Sequence, residues 1–252
     1  MRKPLLVANW KMNQGVEASL KYIANILHKE IPADKIDVAL CPPYTSLYSM
    51  GIALAESDIM LGAQNCNAQV SGAFTGEISC DFLREVGCEY VIVGHSERRK
   101  IFNESDESIR DKVDRVLQSE MVPILCIGET EEERQDDKTF HVIKKQLRLG
   151  FQGLDPKIAN RVVIAYEPVW AIGTGNAATA EQAEEVHQYI RNELGEILSS
   201  EAAQKMTILY GGSVKTSNIK ELMACPNIDG GLVGGASLDV DDFVDIITQS
   251  IL

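Results

Sequence analysis

Three side chains with the chemistry of proton transfer lie at the ends of short apolar runs. Lys11 follows LLVANW, His95 ends YVIVGH and Glu167 ends VVIAYE. A carboxylate can remove a proton from carbon, while an imidazole and an ammonium group stabilise negative charge that develops on oxygen. These residue types together indicate abstraction of a proton next to a carbonyl group, with Glu167 as the base. A helical turn in SERRKIF, directly after His95, is expected to keep the imidazole neutral.

Polar and glycine-rich turns provide a second chemical feature. Backbone N–H groups in such turns can converge on an anion, and the N-termini of the helices that follow strands 7 and 8 are expected to assist. With the Lys11 ammonium, they predict a small phosphorylated aldehyde or ketone as the substrate. The predicted anion-binding positions are Lys11, Gly173, Ser213, Gly234 and Gly235.

The segment AYEPVWAIGTG (165–175) combines the predicted base with stiff and flexible positions. We expect Pro168 and Val169 to form one hinge of a lid, AIGTG to form its tip, and Asn176-Ala177-Ala178 to form the other hinge. Closing such a lid would expel water and protect a reactive intermediate.

Eight β-rich runs alternate with stretches of helical character, such as 15–30, 105–120 and 179–198. Most of the runs are continuously apolar, as in parallel strands that are covered on both faces. Thr179 and Gln182 predict a capping box at the start of one helix. The predicted strands are 5–10, 37–42, 59–64, 90–95, 122–128, 162–167, 207–212 and 230–235.

This alternation predicts an α/β fold in one domain over 1–252, with eight parallel strands closed into a (β/α)8 barrel. A doubly wound open sheet is the alternative, although the GxGxxG fingerprint is missing after the first strand. In a barrel, the carboxyl ends of all eight strands face one cavity, so the residues above would converge there.

Composition limits the classes of partner and cofactor. A formal net charge of −13 argues against binding to nucleic acid or to anionic membranes. The N-terminal apolar stretch is too short for a signal peptide, and the six cysteines contain no CxxC pair. A reducing cytoplasm is therefore expected. The four histidines lie far apart in the sequence, so no metal site is expected. The predicted proton transfer also needs no organic cofactor.

Five segments closely resemble the triosephosphate isomerase family: NWKMN (9–13), VGHSERR (93–99), AYEPVWAIGTG (165–175), YGGSV (210–214) and GGLVGGASL (230–238). The resemblance implies a TIM barrel that interconverts D-glyceraldehyde 3-phosphate and dihydroxyacetone phosphate through an enediol(ate), in glycolysis and gluconeogenesis. It maps Glu167, His95 and Lys11 to catalytic positions and Asn9, Gly173, Ser213, Gly234 and Gly235 to substrate contacts. Ser96, Glu97 and Cys126 map to supporting positions beside them. Asn176 departs from the lysine that is frequent in the family, which leaves the lid kinetics open.

The connection over 63–79 is longer than the loops that usually follow a barrel strand. In the family this loop inserts into a second subunit, and the residue that matches Thr75 reaches the neighbouring active site. The resemblance therefore implies a homodimer, with Gln64, Asn65, Thr75 and Gly76 in the dimer loop.

Two other functions are compatible with a barrel fold. An aldolase would need a Schiff-base lysine on strand 6 or 7, and most ribulose-phosphate epimerases would need metal ligands; neither feature is present. A barrel kept as a binding or adhesion scaffold would be expected to lack at least one of Lys11, His95 and Glu167, which are all present. A secondary adhesive role stays open.

Overall fold

A computed structural model describes residues 2–171 and 178–251. Eight parallel strands form a closed barrel in sequence order, in which β1 pairs with both β2 and β8. This closure confirms the (β/α)8 prediction and excludes the open sheet. The strands are β1 (Leu5–Asn9), β2 (Asp37–Cys41), β3 (Ile59–Ala63), β4 (Cys88–Val93), β5 (Val122–Ile127), β6 (Val163–Tyr166), β7 (Ile208–Tyr210) and β8 (Gly230–Val233).

Twelve α-helices occur in the described part of the chain, and most of them cover the outer face of the barrel. They are α1 (Val16–Ile26), α2 (Tyr44–Leu54), α3 (Cys80–Glu85), α4 (Ser96–Ile101), α5 (Asp106–Gln118), α6 (Glu131–Gln135), α7 (Thr139–Gly150), α8 (Pro156–Ala159), α9 (Ala180–Ile197), α10 (Ser200–Lys205), α11 (Ile219–Met223) and α12 (Val240–Gln249). Two short 3-10 turns follow β6 and β8, at Val169–Ala171 and Gly235–Ser237.

All eight predicted strands are too long at their carboxyl ends. Strand 4 was predicted to reach His95 and strand 8 to reach Gly235, whereas β4 ends at Val93 and β8 at Val233. The backbone leaves the extended conformation at these ends, with φ of +69° at Gly94 and +51° at Lys11. Lys11, His95 and Glu167 therefore lie just beyond the strand ends, on the turns above the barrel.

The predicted capping box of α9 is confirmed. The Thr179 hydroxyl accepts a hydrogen bond from the Gln182 N–H, and the Gln182 side chain accepts one from the Thr179 N–H. Both contacts satisfy N–H groups that a helix leaves without partners in its first turn. This helix begins directly after the predicted second hinge of the lid and fixes where that segment must end.

The core has two layers. Inside the barrel, small and branched side chains such as Val7, Ala39, Ile124, Ala165 and Leu209 pack against one another and are almost completely buried. A larger layer fills the space between the strands and the helices, with Trp10, Tyr166 and Phe243 among its largest members. The barrel interior is therefore a packed core that closes the floor beneath the strand ends.

His187 of α9 lies in this outer layer and is fully buried. Its Nδ1 is 3.3 Å from the Asn227 carbonyl oxygen, and its ring lies edge-on to Tyr166. Burial lowers the pKa of His187 from 6.5 to about 3, so the folded protein holds the ring neutral. Between these pH values the unfolded chain binds the additional proton, and stability must therefore fall as the pH falls below 6.5.

We expect this histidine to cost about 2 kcal/mol of the free energy of unfolding between pH 7 and pH 5. His187→Asn retains a donor for the Asn227 carbonyl group and cannot be protonated, so it should remove that part of the pH dependence. Urea unfolding followed by circular dichroism at the two pH values measures it. The exposed His28→Asn variant is the control. An unchanged pH dependence in His187→Asn would contradict this account.

Candidate active site

A cavity of about 310 Å³ opens at the carboxyl ends of the strands. This volume lies at the small end of the range for small-molecule sites and fits a small substrate. The predicted catalytic and substrate-binding residues that the structure describes line it together. The predicted residues on its wall are Asn9, Lys11, His95, Glu167, Ser213, Gly234 and Gly235. Gly173, Asn176 and Ala177, which belong to the predicted lid, lie outside the described residues.

Glu167 follows β6 and is 2% exposed. Its Oε2 accepts a hydrogen bond from the Ser96 N–H at 2.8 Å, and its Oε1 lies 2.9 Å from His95 Nε2. Burial alone would raise the pKa of Glu167, but the His95 contacts, the Ser96 N–H and the Lys11 charge outweigh it and lower the pKa. The carboxyl group is therefore ionised at neutral pH, as a base must be.

His95 is the N-cap of α4, and its Nδ1 accepts a hydrogen bond from the Glu97 N–H at 3.2 Å. Burial lowers the pKa of His95, but the charge and hydrogen bond of Glu167 together with the charge of Glu97 outweigh it, so the pKa lies above its usual value. A protonated Nδ1 could not accept the Glu97 N–H, however. The geometry is thus that of a neutral ring whose Nε2–H points to Glu167. The raised pKa of His95 depends on Glu167 keeping this contact.

Lys11 is fixed at both its backbone and its side chain. Asn9 Oδ1 accepts its N–H at 3.1 Å, and Gln64 Nε2 donates to its carbonyl oxygen at 2.8 Å. These contacts hold the left-handed backbone conformation at this position. The ammonium group forms an ion pair with Glu97 at 2.7 Å, at the edge of the cavity. Gln64, predicted only as part of the dimer loop, therefore also positions Lys11.

The cavity wall that was predicted to bind an anion differs in part from the prediction. Ser213, Gly234 and Gly235 line the cavity, and the turn after Gly234 is a 3-10 turn rather than an α-helix. After β7 the helix begins only at Ile219, because Asn218 closes a local turn first. Its Oδ1 accepts the Lys215 N–H and its Nδ2 donates to the Ser213 carbonyl oxygen. The α-helix that follows β7 therefore begins at Ile219, beyond the turn that lines the cavity.

Cys126 lies on β5 inside the barrel and is fully buried. Burial, followed by the Glu167 charge, raises the pKa of its thiol well above the usual value. The thiol is therefore a neutral packing group beside the carboxylate. Ser96 donates its backbone N–H to Glu167. Glu97 donates its N–H to His95 Nδ1, and its carboxylate pairs with the Lys11 ammonium group.

Two glycines that the sequence analysis did not single out leave room for Glu167. A Cβ atom at Gly128 would lie 1.7 Å from the Glu167 carbonyl oxygen, and one at Gly211 would lie 2.9 Å from its Cγ. Glycine at these positions lets neighbouring strand ends approach the base closely. No motif marks them, since the requirement arises only when β5, β6 and β7 are adjacent.

We expect Gly128→Ala to displace the backbone of Glu167 and to lower kcat by about 10²-fold, the effect of an ångström-scale misplacement of a reacting group. Gly15→Ala is the matched control, because a Cβ atom there meets nothing within 4 Å. Steady-state kinetics on both folded variants measure the difference. Equal kcat values in the two variants would show that the close packing at Gly128 does not position Glu167.

Glu129, after β5, is a further residue that the sequence analysis missed. It is fully buried, and its Oε1 accepts hydrogen bonds from the Tyr166 hydroxyl at 3.1 Å and from Trp170 Nε1 at 2.9 Å. Arg134 forms an ion pair with the same oxygen and stacks over the Trp170 ring. Glu129 thus anchors the first turn of the predicted lid. The rule that singled out Glu167, a carboxylate at the end of an apolar run, could also have found it.

The loop predicted to mediate dimerisation has a buried base and an exposed tip. Asn65 is buried, with its side-chain oxygen bonded to Lys112 and its carbonyl oxygen bonded to the Tyr44 hydroxyl. Thr75 and Gly76 lie in the exposed tip. A second cavity of about 360 Å³ lies on the other side of Lys11 and His95, with the exposed side chains of Met12 and Phe102 on its wall.

Within residues 2–171 and 178–251, no helix is long and apolar enough to span a membrane. The same residues contain no group of three or more histidine, cysteine or acidic side chains arranged to hold a metal ion.

Comparison with known proteins identifies the family of the chain. The family profile described as Triosephosphate isomerase matches residues 4–250. Proteins named triosephosphate isomerase from Chloroherpeton thalassium and Endomicrobium trichonymphae are 49% and 46% identical to this chain, each over 99% of it and 100% of their own length. One from Chlorobium phaeobacteroides is 49% identical, with 100% of both chains covered. The chain therefore belongs to the triosephosphate isomerase family.

Proposed function

We propose that this chain interconverts D-glyceraldehyde 3-phosphate and dihydroxyacetone phosphate, with Glu167 carrying the proton between the two carbon atoms. The observation that carries the proposal is the 2.9 Å contact between the buried Glu167 carboxyl group and His95 Nε2, at the wall of a small cavity that Lys11 also lines. This set provides a base and two donors for a developing oxyanion. The family membership supports the same reaction, as a step of glycolysis and gluconeogenesis.

Binding is assigned to the two sides of the cavity. Backbone groups of Ser213, Gly234 and Gly235 are proposed to hold the phosphate, with Gly173 joining them from the lid. On the opposite side, Asn9 and the Lys11 ammonium group are proposed to hold the substrate carbonyl oxygen. Anion binding by backbone N–H groups requires no metal ion. Lys215, which also lines the cavity, brings a second positive charge to the phosphate side.

Proton transfer requires Glu167 to exchange its contacts with Ser96 and His95 for the substrate. Once Glu167 removes a proton from the carbon next to the carbonyl group, negative charge moves to the oxygen, where Lys11 and the Nε2–H of His95 stabilise it. The same carboxyl group then returns the proton to the neighbouring carbon atom. With Glu167 turned to the substrate, the contact that raised the His95 pKa is lost, which favours a neutral ring. Nitrogen-15 NMR that found both ring nitrogens protonated at neutral pH would contradict this role of His95.

A homodimer is proposed as the active form. The loop tip over 71–77 is exposed and carries Phe74, which is 45% exposed, while Met12 is 95% exposed beside the second cavity. An apolar loop tip and an apolar groove on one chain suit a two-fold arrangement in which each loop fills the groove of the other copy. Thr75 would then reach the partner's cavity near Asn9 and Lys11.

Each protomer is proposed to be one barrel domain over 1–252. A reducing cytoplasm is the proposed location, since all six cysteines are free.

Phosphorus-31 NMR of the purified protein incubated with dihydroxyacetone phosphate tests the proposed reaction. We expect glyceraldehyde 3-phosphate to appear at its equilibrium share and the rate to be unchanged by EDTA, since no step uses a metal ion. A folded dimer that produces no second phosphate signal would leave the scaffold alternative as the better account. Loss of the reaction with EDTA would contradict the metal-free assignment.

A further inference from the structure

A glutamine on α7 binds the backbone that packs against Glu167. Gln146 Oε1 accepts a hydrogen bond of 2.8 Å from the Gly128 N–H, and Gln146 Nε2 donates one of 3.3 Å to the Gly128 carbonyl oxygen. One side-chain amide therefore holds both backbone polar groups of a residue that lies just beyond the end of β5. Since an amide offers an acceptor and a donor side by side, the two bonds fix the orientation of the Gly128 backbone as well as its position.

The face of α7 that carries Gln146 packs directly against the barrel. Ile143, three residues before Gln146, is fully buried. Four residues after Gln146, a Cβ atom at Gly150 would lie 2.7 Å from a methyl carbon of Leu125 on β5. Residues three and four apart share one face of a helix, so these contacts flank Gln146 on both sides. The amide of Gln146 is therefore presented to Gly128 from a firmly packed support.

Gly128 lies in the middle of a three-residue segment that holds the backbone around Glu167. The Ile127 carbonyl oxygen accepts the Glu167 N–H at 2.7 Å, and the Glu129 carbonyl oxygen accepts the Val169 N–H at 3.1 Å. Gly128 itself packs so closely that an added Cβ atom would lie 1.7 Å from the Glu167 carbonyl oxygen. A shift of Gly128 must therefore move the backbone of Glu167.

Open space beside this segment makes a polar restraint necessary. A cavity of about 470 Å³ is lined by Gly128, Gln146 and Val169 and reaches Glu167. Gly128 has no side chain that could pack against the cavity wall and hold the backbone in place. The two hydrogen bonds from Gln146 supply the restraint that a packed side chain would otherwise give.

We propose that Gln146 is a positioning residue for the isomerisation, which acts through Gly128 to place Glu167 relative to the substrate. The inference rests on the proposed function, because it gives Gln146 a share in placing the base. A displaced base removes a proton more slowly, so the effect belongs on kcat. KM should stay nearly unchanged, since the phosphate is proposed to bind at the turns after β7 and β8, on another wall of the site.

Removing the amide tests the proposal. Gln146→Met has a similar length but forms neither bond, and Gln146→Ala removes both bonds without adding an apolar chain to the cavity. We expect both variants to lose about 10-fold in kcat, less than a full ångström of misplacement costs, with KM and the inhibition constant for inorganic phosphate unchanged. Gln118→Met is the matched control, because Gln118 is exposed and bonds to Asp114 within its own helix. It should retain the full kcat.

A double-mutant cycle tests whether the effect passes through Gly128. Gly128→Ala combined with Gln146→Met should have a kcat about 10²-fold below the wild type, as expected for Gly128→Ala alone, whereas independent effects would give about 10³-fold. Wild-type kcat in both Gln146 variants, or losses that multiply in the combined variant, would overturn the proposal. A folded wild-type protein without isomerase activity would instead overturn the proposed function, so the two failures are distinguishable.

Discussion

Replacing Glu167 by glutamine is expected to lower kcat for the isomerisation by about 10³–10⁴-fold, the contribution of a well-placed general base. The amide has nearly the same shape and can still accept the Ser96 N–H, which the carboxylate binds at 2.8 Å. Because an amide oxygen cannot take a proton from carbon, the substitution removes the base and leaves the cavity in place. A coupled-dehydrogenase assay on the purified variant measures the change.

The comparison depends on separating chemistry from folding and binding. Glu17→Gln is the matched control, since Glu17 lies on the exposed face of α1 and pairs only with Lys21. We expect that variant to retain the full kcat. For Glu167→Gln we expect KM to change far less than kcat, because the phosphate contacts are untouched. A rise in KM with kcat unchanged would mean that Glu167 binds the substrate rather than acting as the base.

Separating the proposed dimer is expected to have the second-largest effect. Phe74→Asp places a charge on the exposed loop tip, and it should prevent the loop from entering the apolar groove of a second copy. Without that loop, the groove beside Lys11 and His95 opens to water, and the higher dielectric weakens the stabilisation of the oxyanion by both donors. We expect kcat/KM to fall by about 10³-fold, the cost of losing a preorganised donor.

Analytical ultracentrifugation and kinetics on the same samples test this expectation. Leu20→Asp is the control, since it puts the same charge on an exposed apolar side chain of α1 outside the loop and the groove. That variant should remain a dimer with full activity. A Phe74→Asp protein that sediments as a monomer with undiminished kcat/KM would refute the requirement for a dimer.

The sequence was sufficient to predict the barrel and most of the cavity wall. Continuous apolar runs separated by helical stretches require parallel strands, and eight of them place Lys11, His95 and Glu167 above one mouth. The helical turn at His95 was also predictable, because the site follows a strand and precedes a charged amphipathic segment. These predictions depend on local patterns that tertiary contacts did not override.

The missing parts arise from contacts between distant segments. Gly128 matters only because β5 and β6 bring it against the Glu167 backbone, and Gln64 matters because its side chain reaches Lys11. The delayed start of α11 follows from the hydrogen bonds of Asn218, a residue that looks like any other polar turn residue in the sequence. No spacing rule within one segment reports such contacts.

Proton NMR of the products formed in D2O tests most directly whether Glu167 carries the proton. The protonated Glu167 carboxyl group exchanges its proton with solvent. From glyceraldehyde 3-phosphate as the substrate, the account therefore predicts dihydroxyacetone phosphate with deuterium on the carbon to which Glu167 returns the proton. The same spectra should show this label forming at a greatly reduced rate with Glu167→Gln. Product from the wild-type enzyme that contains only hydrogen at this carbon, at every pH tested, would contradict the account, since direct hydride transfer between the two carbon atoms gives that result.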